Sequence, residues 1–200
     1  MKFMFEVPKK TGLAYANLLR TVIIETSQSV KPIGIAFKDG SNTFIPSDNL
    51  AEVIGFCQKL SDLDFVASEA LDFPVTIDYT FQGSLKSKDL ANSDISVVDG
   101  NVELLHAVDK SKQISFSVIY GKGSGKVSAE DNKQIIESFS GYGSFRALAS
   151  RYSDSNVSFE VKDNLDSDLV VVNVISKSGS EKEKIHDAIN SIMSNFNKIQ

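Results

Sequence analysis

A single cysteine, Cys57, stands in the chain, so no internal disulfide can form, and a reducing compartment is expected. Tryptophan is absent and only two histidines occur, His106 and His186. One cysteine and no histidine pair at i, i+4 give no metal-ligand spacing, so neither a metal nor another cofactor is expected. Positive charge is short: 21 Lys and Arg face 26 Asp and Glu, for a net charge of −5. Nucleic-acid affinity comes mainly from Lys and Arg on phosphates, so no direct nucleic-acid partner is expected. No apolar run is long enough to span a bilayer, and the opening M-K-F-M-F-E-V-P lacks the apolar core and cleavage site of a signal peptide. These readings exclude a membrane partner and point to the cytoplasm, or to an organelle interior if the chain is organelle-encoded.

What the chain does have is a hydrophobic share of 42% over 200 residues, enough for a real core in one medium or two small domains. Residues 2–7 alternate as a strand. The stretch 11–27, T-G-L-A-Y-A-N-L-L-R-T-V-I-I-E-T-S, then places Tyr15, Leu18, Leu19, Val22 and Ile23 at helical spacing. Thr11 suits its N-cap, and Asn17 and Arg20 lie beside or off the stripe. An apolar helix so early in the chain needs a large partner surface, which is either an ordinary core or a dimer interface. Ile33, Ile35 and Phe37 alternate as a strand before a turn at Asp39-Gly40. A second helix runs from about residue 46 to 60 on the stripe Leu50, Val53, Ile54, Cys57 and Leu60, with Cys57 in the core. Strands follow at 74–82, 95–98, 102–108 and 113–120. Residues 121–125 and 138–144 read as flexible loops, and 145–151 is open between helix and loop. Strands at 157–161 and 169–175 precede a last helix. Ser180 and Glu183 suit its capping box, Ile185, Ile189, Ile192, Met193, Phe196 and Ile199 form its stripe, and Lys182, Lys184 and Lys198 its solvated face.

The chain thus opens and closes with strand and helix around a strand-rich middle. That order implies an α+β fold with an insertion: residues 1–42 plus 144–200 as one subdomain, and 43–143 as an inserted β-rich subdomain.

Self-contained chemistry finds little support. Gly121-Lys122-Gly123-Ser124-Gly125-Lys126 resembles a phosphate loop only at a glance. Tyr120 stands where its first glycine belongs, and Val127 where Ser or Thr belongs. No G-x-S-x-G elbow supports a Ser/His/Asp triad. Asp62, Asp64, Glu69 and Asp72 read as a solvated acidic loop. No active site of the chain's own is expected.

Tyr15-Ala16-Asn17-Leu18-Leu19-Arg20 resembles the L-G-N-x-L-R helix motif of the assembly subunits of multisubunit RNA polymerases, the bacterial alpha subunit and its archaeal and eukaryotic counterparts. Other segments resemble bacterial alpha in the same order. These are Phe81-Gln82-Gly83 through Asp89-Leu90, then Asp99-Gly100, then a strand ending in Tyr120-Gly121-Lys122-Gly123, similar to a strand ending in R-G-R-G. Residues 146–152, Phe159-Glu160-Val161, Leu169-Val170-Val171 and the last helix are similar to the segments that close alpha's N-terminal domain. The motif's glycine is Ala16 here, and Thr21 stands where bacterial alpha usually carries a second arginine.

The resemblance implies a non-catalytic scaffold, the N-terminal domain only, without the C-terminal DNA-binding domain. Two alpha-type chains, as a homodimer, would pair through helices and dock the two large catalytic subunits for transcription. Nucleotidyl transfer would belong to those other chains. The expected dimer contacts are Leu13, Tyr15, Leu18, Leu19, Val22, Ile23, Ile185, Ile189, Ile192, Met193 and Phe196. The expected large-subunit contacts are Asn17, Arg20 and Thr21. Two other classes stay open on the residues alone: a stand-alone α+β dimerisation module of another assembly, and a small hydrolase or ligand-binding domain using His106.

Overall fold

The computed structural model describes residues 1–38, 44–45, 53–106, 111, 113–140, 145–152, 155–177 and 181–197. The turn at Asp39-Gly40, Leu50 of the second helix, Ser180 of the capping box, Lys198 and Ile199 lie outside them, as does the side chain of Phe196. In chain order the elements are β1 (Lys2–Pro8), α1 (Gly12–Thr26), β2 (Ser29–Lys38), β3 (Phe44–Ile45), α2 (Val53–Asp62), β4 (Phe65–Ala67), β5 (Val75–Gln82), β6 (Ser84–Lys86), β7 (Ile95–Val97), β8 (Glu103–His106), β9 (Gln113–Gly123), β10 (Gly125–Val127), α3 (Ala129–Ser140), β11 (Arg146–Ala147), β12 (Ser150–Tyr152), β13 (Ser155–Asp163), β14 (Ser167–Ser176) and α4 (Glu181–Asn197). The fold class is α+β.

Two compact units form, Met1–Gln28 with Ser153–Gln200, and Ser29–Tyr152. The first is therefore built from both chain ends. The sequence reading cuts at 42/43 and 143/144, whereas these units divide at 28/29 and 152/153. The difference has a physical origin: β2 pairs along most of its length with β9, and also with β3, β4 and β11, which ties it to the middle of the chain.

In the chain-end unit the sheet order is β1-β14-β13, all antiparallel. Alternation puts Phe3, Phe5 and Val7, then Val157, Phe159 and Val161, then Val170, Val172 and Val174 into one apolar cluster. Ala16 and Ile23 of α1 and Ile185 and Ala188 of α4 join that cluster, and the half-buried Val22 and Ile24 pack against it. On the opposite face Lys2, Met4 and Glu6 of β1 and Ser158, Glu160 and Lys162 of β13 are exposed, while Val171 of the central strand is buried.

In the middle unit the main sheet runs β5-β9-β2-β4-β7, with β3 and β11 also on β2. Phe116 of β9 is fully buried, with the rings of Phe37, Phe56, Tyr79 and Phe81 at 6.0, 5.7, 5.4 and 6.0 Å. Phe56, Cys57 and Leu60 of α2 pack into this cluster, so Cys57 is in the core as its stripe implies. Ile54 of the same expected stripe is instead 70% exposed. A buried Lys31 spans the sheet's interior by donating to the Leu63 carbonyl at 2.7 Å and pairing with Asp64 at 3.0 Å.

Three local expectations are corrected here. Residues 121–125 are not a loop, because Gly121–Gly123 finish β9 and pair with β2, and Gly125 begins β10. Residues 138–140 end helix α3, which the sequence reading did not identify. Ser128 caps it, receiving the Asp131 amide at 3.1 Å and donating to the Asp131 carboxylate at 2.7 Å. The open stretch 145–151 is neither helix nor simple loop, since it holds β11 and the start of β12. Its position is fixed by Ser150, which donates to the Pro32 carbonyl at 3.0 Å and receives Asn132 at 3.0 Å.

Candidate subunit interface

The chain-end unit carries the residues singled out from the sequence, and α1 is held at both ends before any partner arrives. Thr11, expected as its N-cap, turns its hydroxyl back to the Pro8 carbonyl at 2.5 Å. The first amide of the helix, Gly12 N–H, is taken instead by the buried Asp168 carboxylate of β14 at 2.9 Å. A carboxylate there also favours the positive end of the helix dipole. Gly12 is required by contact: a Cβ would lie 2.6 Å from Val161 Cγ1 and 2.9 Å from Asp168 Cβ. At the other end the Ser27 hydroxyl donates to the Ile23 carbonyl at 2.5 Å and lies 3.2 Å from the Ser155 hydroxyl.

The buried line of α1 is Gly12, Ala16, Leu19 and Ile23. It differs from the expected stripe because small residues mark where the helix sits closest to the sheet. Ala16, at the motif's glycine position, is fully buried. Ile23 is also fully buried, Leu19 nearly so, and Ile185 of α4 likewise, so these three expected dimer residues serve the unit's own core.

At roughly 100° per residue, the rest of α1 falls on two flanks of that line. Tyr15, Leu18 and Val22 form one; Tyr15 and Leu18 are exposed and Val22 is half-buried. Leu13, Asn17, Arg20 and Ile24 form the other, so Leu13 shares a flank with the expected large-subunit contacts rather than with Tyr15. Leu13, Asn17 and Arg20 are exposed, as is Thr21 at the outermost position. Arg20 and Asn17 make no side-chain hydrogen bond or ion pair among the described residues.

The α4 helix packs beside α1 and on β14. Ile185 and Ala188 face the core, and Ile192 is half-buried. Ile189 and Met193, one turn apart, flank that line with 44% and 57% of their surface exposed. Lys184 corrects its assignment to the solvated face, because it is buried with its ammonium donating to the Ser176 hydroxyl at 2.8 Å. The amides of Glu181 itself and of Ser176 hold the Glu181 carboxyl below the usual range at the start of α4. Exposed Tyr15, Leu18, Ile189 and Met193 thus sit on two neighbouring helices whose core-facing sides are already satisfied.

His186 is exposed on α4; in the middle unit, His106 is exposed and lies 3.5 Å from the Glu103 carboxylate. No group of three metal-ligating side chains occurs among the described residues, and no described helix is long and apolar enough to cross a membrane.

Sequence comparison decides what this arrangement is related to. The alpha subunit of DNA-directed RNA polymerase from Aliarcobacter butzleri is 27% identical over 128 residues, which is 62% of this chain and 38% of that protein. The alpha subunit from Helicobacter pylori strain HPAG1 is 26% identical over 135 residues, and that from Wolinella succinogenes 27% over 134 residues. The chain is a homologue of RNA polymerase alpha subunits. The match spans only about 38–40% of the length of these relatives, consistent with an N-terminal domain, and 62–64% of this chain. No protein-family model matches.

Proposed function

We propose that the chain is a non-catalytic scaffold subunit of a DNA-directed RNA polymerase, working in the cytoplasm or an organelle interior. It pairs with a second copy of itself and docks the two large catalytic subunits. The observation that carries this reading is the exposed apolar set Tyr15, Leu18, Ile189 and Met193 on α1 and α4, in a chain homologous to alpha subunits. Leaving each of these side chains half in water forgoes roughly 1 kcal/mol that burial would return. A two-fold interface uses each residue twice, and obligate interfaces of this kind resemble a divided core.

Asn17, Arg20 and Thr21 serve as the contact to a large subunit. They lie on the far flank and crest of α1 from Tyr15 and Leu18, so one helix can serve two partners without competition. Arg20 suits that role because its planar fork of donors is unspent among the described residues. The chain ends form the assembly subdomain and the middle unit the insertion.

The test is affinity isolation of the tagged chain from its native source, with mass spectrometry and an RNA-synthesis assay. Two very large partners and RNA synthesis in the eluate support the reading. Recovery without them, from a lysate whose polymerase is intact, overturns it and leaves a dimerisation module of some other assembly.

A further inference from the structure

The middle unit has a surface cleft that the scaffold reading does not use. It has a volume of about 540 Å³, within the roughly 300–1,000 Å³ of ligand-sized clefts. One wall is α2 with Ile54, Cys57, Gln58 and Ser61, and the other is the strand segment Arg146, Ala147, Leu148 and Ala149. The walls are mainly apolar, and Ile54 is the most exposed large apolar side chain of α2.

Arg146 is the one cation of the lining among the described residues. Its guanidinium lines the same cleft as the Cys57 thiol and meets no carboxylate among the described residues. Asp62 lines the cleft too, but it lies five residues on from Cys57, about 7.5 Å along the helix, and forms no ion pair with Arg146. Five donors in a fixed fork beside apolar walls suit a bidentate carboxylate flanked by hydrocarbon.

We infer that this cleft is a docking site for a partner protein segment that presents an apolar side chain next to an Asp or Glu, the carboxylate on Arg146 and the apolar group against Ile54 and Leu148. A nucleic-acid strand fits worse. No aromatic residue lines the cleft among the described residues to stack a base, one cation is a poor track for a phosphate backbone, and the chain carries a net charge of −5.

Cys57 is the only cysteine in the chain and meets the cleft through the 8% of its surface that the core leaves exposed, so the rate of its slow alkylation reports occupancy. The assay follows N-ethylmaleimide labelling of the chain by itself with millimolar acetyl-Leu-Glu-Leu-Glu-amide, with its Leu-Gln-Leu-Gln counterpart, and with a short oligothymidylate. The Glu peptide is expected to slow labelling at least threefold and the other two less than 1.5-fold. Arg146→Gln changes the thiol's own reactivity, so its readout is the ratio with and without peptide, expected to fall to about one. Equal effects of the Glu and Gln peptides, or no protection by either, overturn the proposal on the unaltered chain. Protection by the oligonucleotide alone overturns it in favour of a nucleic-acid site. Polymerase assembly is not needed for this assay, so its failure and that of the scaffold reading are separate results.

Discussion

Replacing Asp168 by alanine should loosen the start of α1 while leaving the sheet intact. The Asp168 carboxylate is buried and accepts the Gly12 amide at 2.9 Å, across 156 residues of sequence. Among the described residues no other side chain caps this end, and the Thr11 hydroxyl is engaged with Pro8. A hydrogen bond to a charged group contributes about 1.5–3 kcal/mol, and loss of a helix cap costs about 0.5–2 kcal/mol. These describe one interaction and are not summed, so a loss of about 2 kcal/mol is expected. That corresponds to a drop of about 30-fold in the protection of the Gly12 amide against hydrogen exchange. Amides of β14 beyond residue 170 should keep theirs within a factor of about three. The first turn carries Leu13 and Tyr15, so the same variant should also weaken whatever docks there. Unchanged Gly12 protection in Asp168→Ala would refute the argument that β14 pins the helix.

Three other outcomes follow from the packing. Gly34→Ala should destabilise the middle unit by about 1–3 kcal/mol in urea denaturation, because a Cβ on β2 would lie 2.5 Å from Ile136 Cδ1 of α3; unaltered stability would mean that α3 gives way freely. Burial pushes the Tyr79 hydroxyl up to about 12, and burial also raises Tyr120, whose hydroxyl lies 2.9 Å away. The folded state therefore holds these protons more tightly than the unfolded chain. Their contribution is complete below pH 10 and lost as pH rises from about 10 through 12, about 3 kcal/mol for Tyr79 alone. A stability profile that stays flat there, or that Tyr79→Phe leaves unchanged, contradicts this. Arg20→Ala should keep the circular dichroism of the chain and cut its incorporation into polymerase at least about fivefold; normal incorporation would remove Arg20 from the docking surface.

The strands were the most legible part of the sequence. The alternation Ile114, Phe116, Val118, Tyr120 is β9, and 2–7 and 169–175 are the hearts of β1 and β14. The homology was legible as well, from the Tyr15–Arg20 motif and the spacing of the middle segments. What hydropathy misjudged was the close approach of backbones. On α1 the buried line runs through Gly12 and Ala16, which score as weakly apolar, while bulkier Tyr15 and Leu18 stay outside. Helix α3 was missed because Ile136 is its one buried apolar residue among those described, while Ile135 and Phe139 stay exposed. The signal that could have found it was Ser128 three residues before Asp131, a helix-start pattern. Arg146 beside Cys57 joins residues 89 positions apart, and no local pattern encodes such a pairing.

The pairing of two copies through α1 and α4 is the central claim, and sedimentation at micromolar concentration tests it most directly. The account predicts a particle of two 21.8 kDa chains. Ile189→Asp buries an unpaired charge in each half of the interface, about 3–5 kcal/mol, and should weaken pairing at least about 100-fold to a folded monomer. A monomer from the unaltered chain, or an Ile189→Asp chain that still pairs, would contradict it.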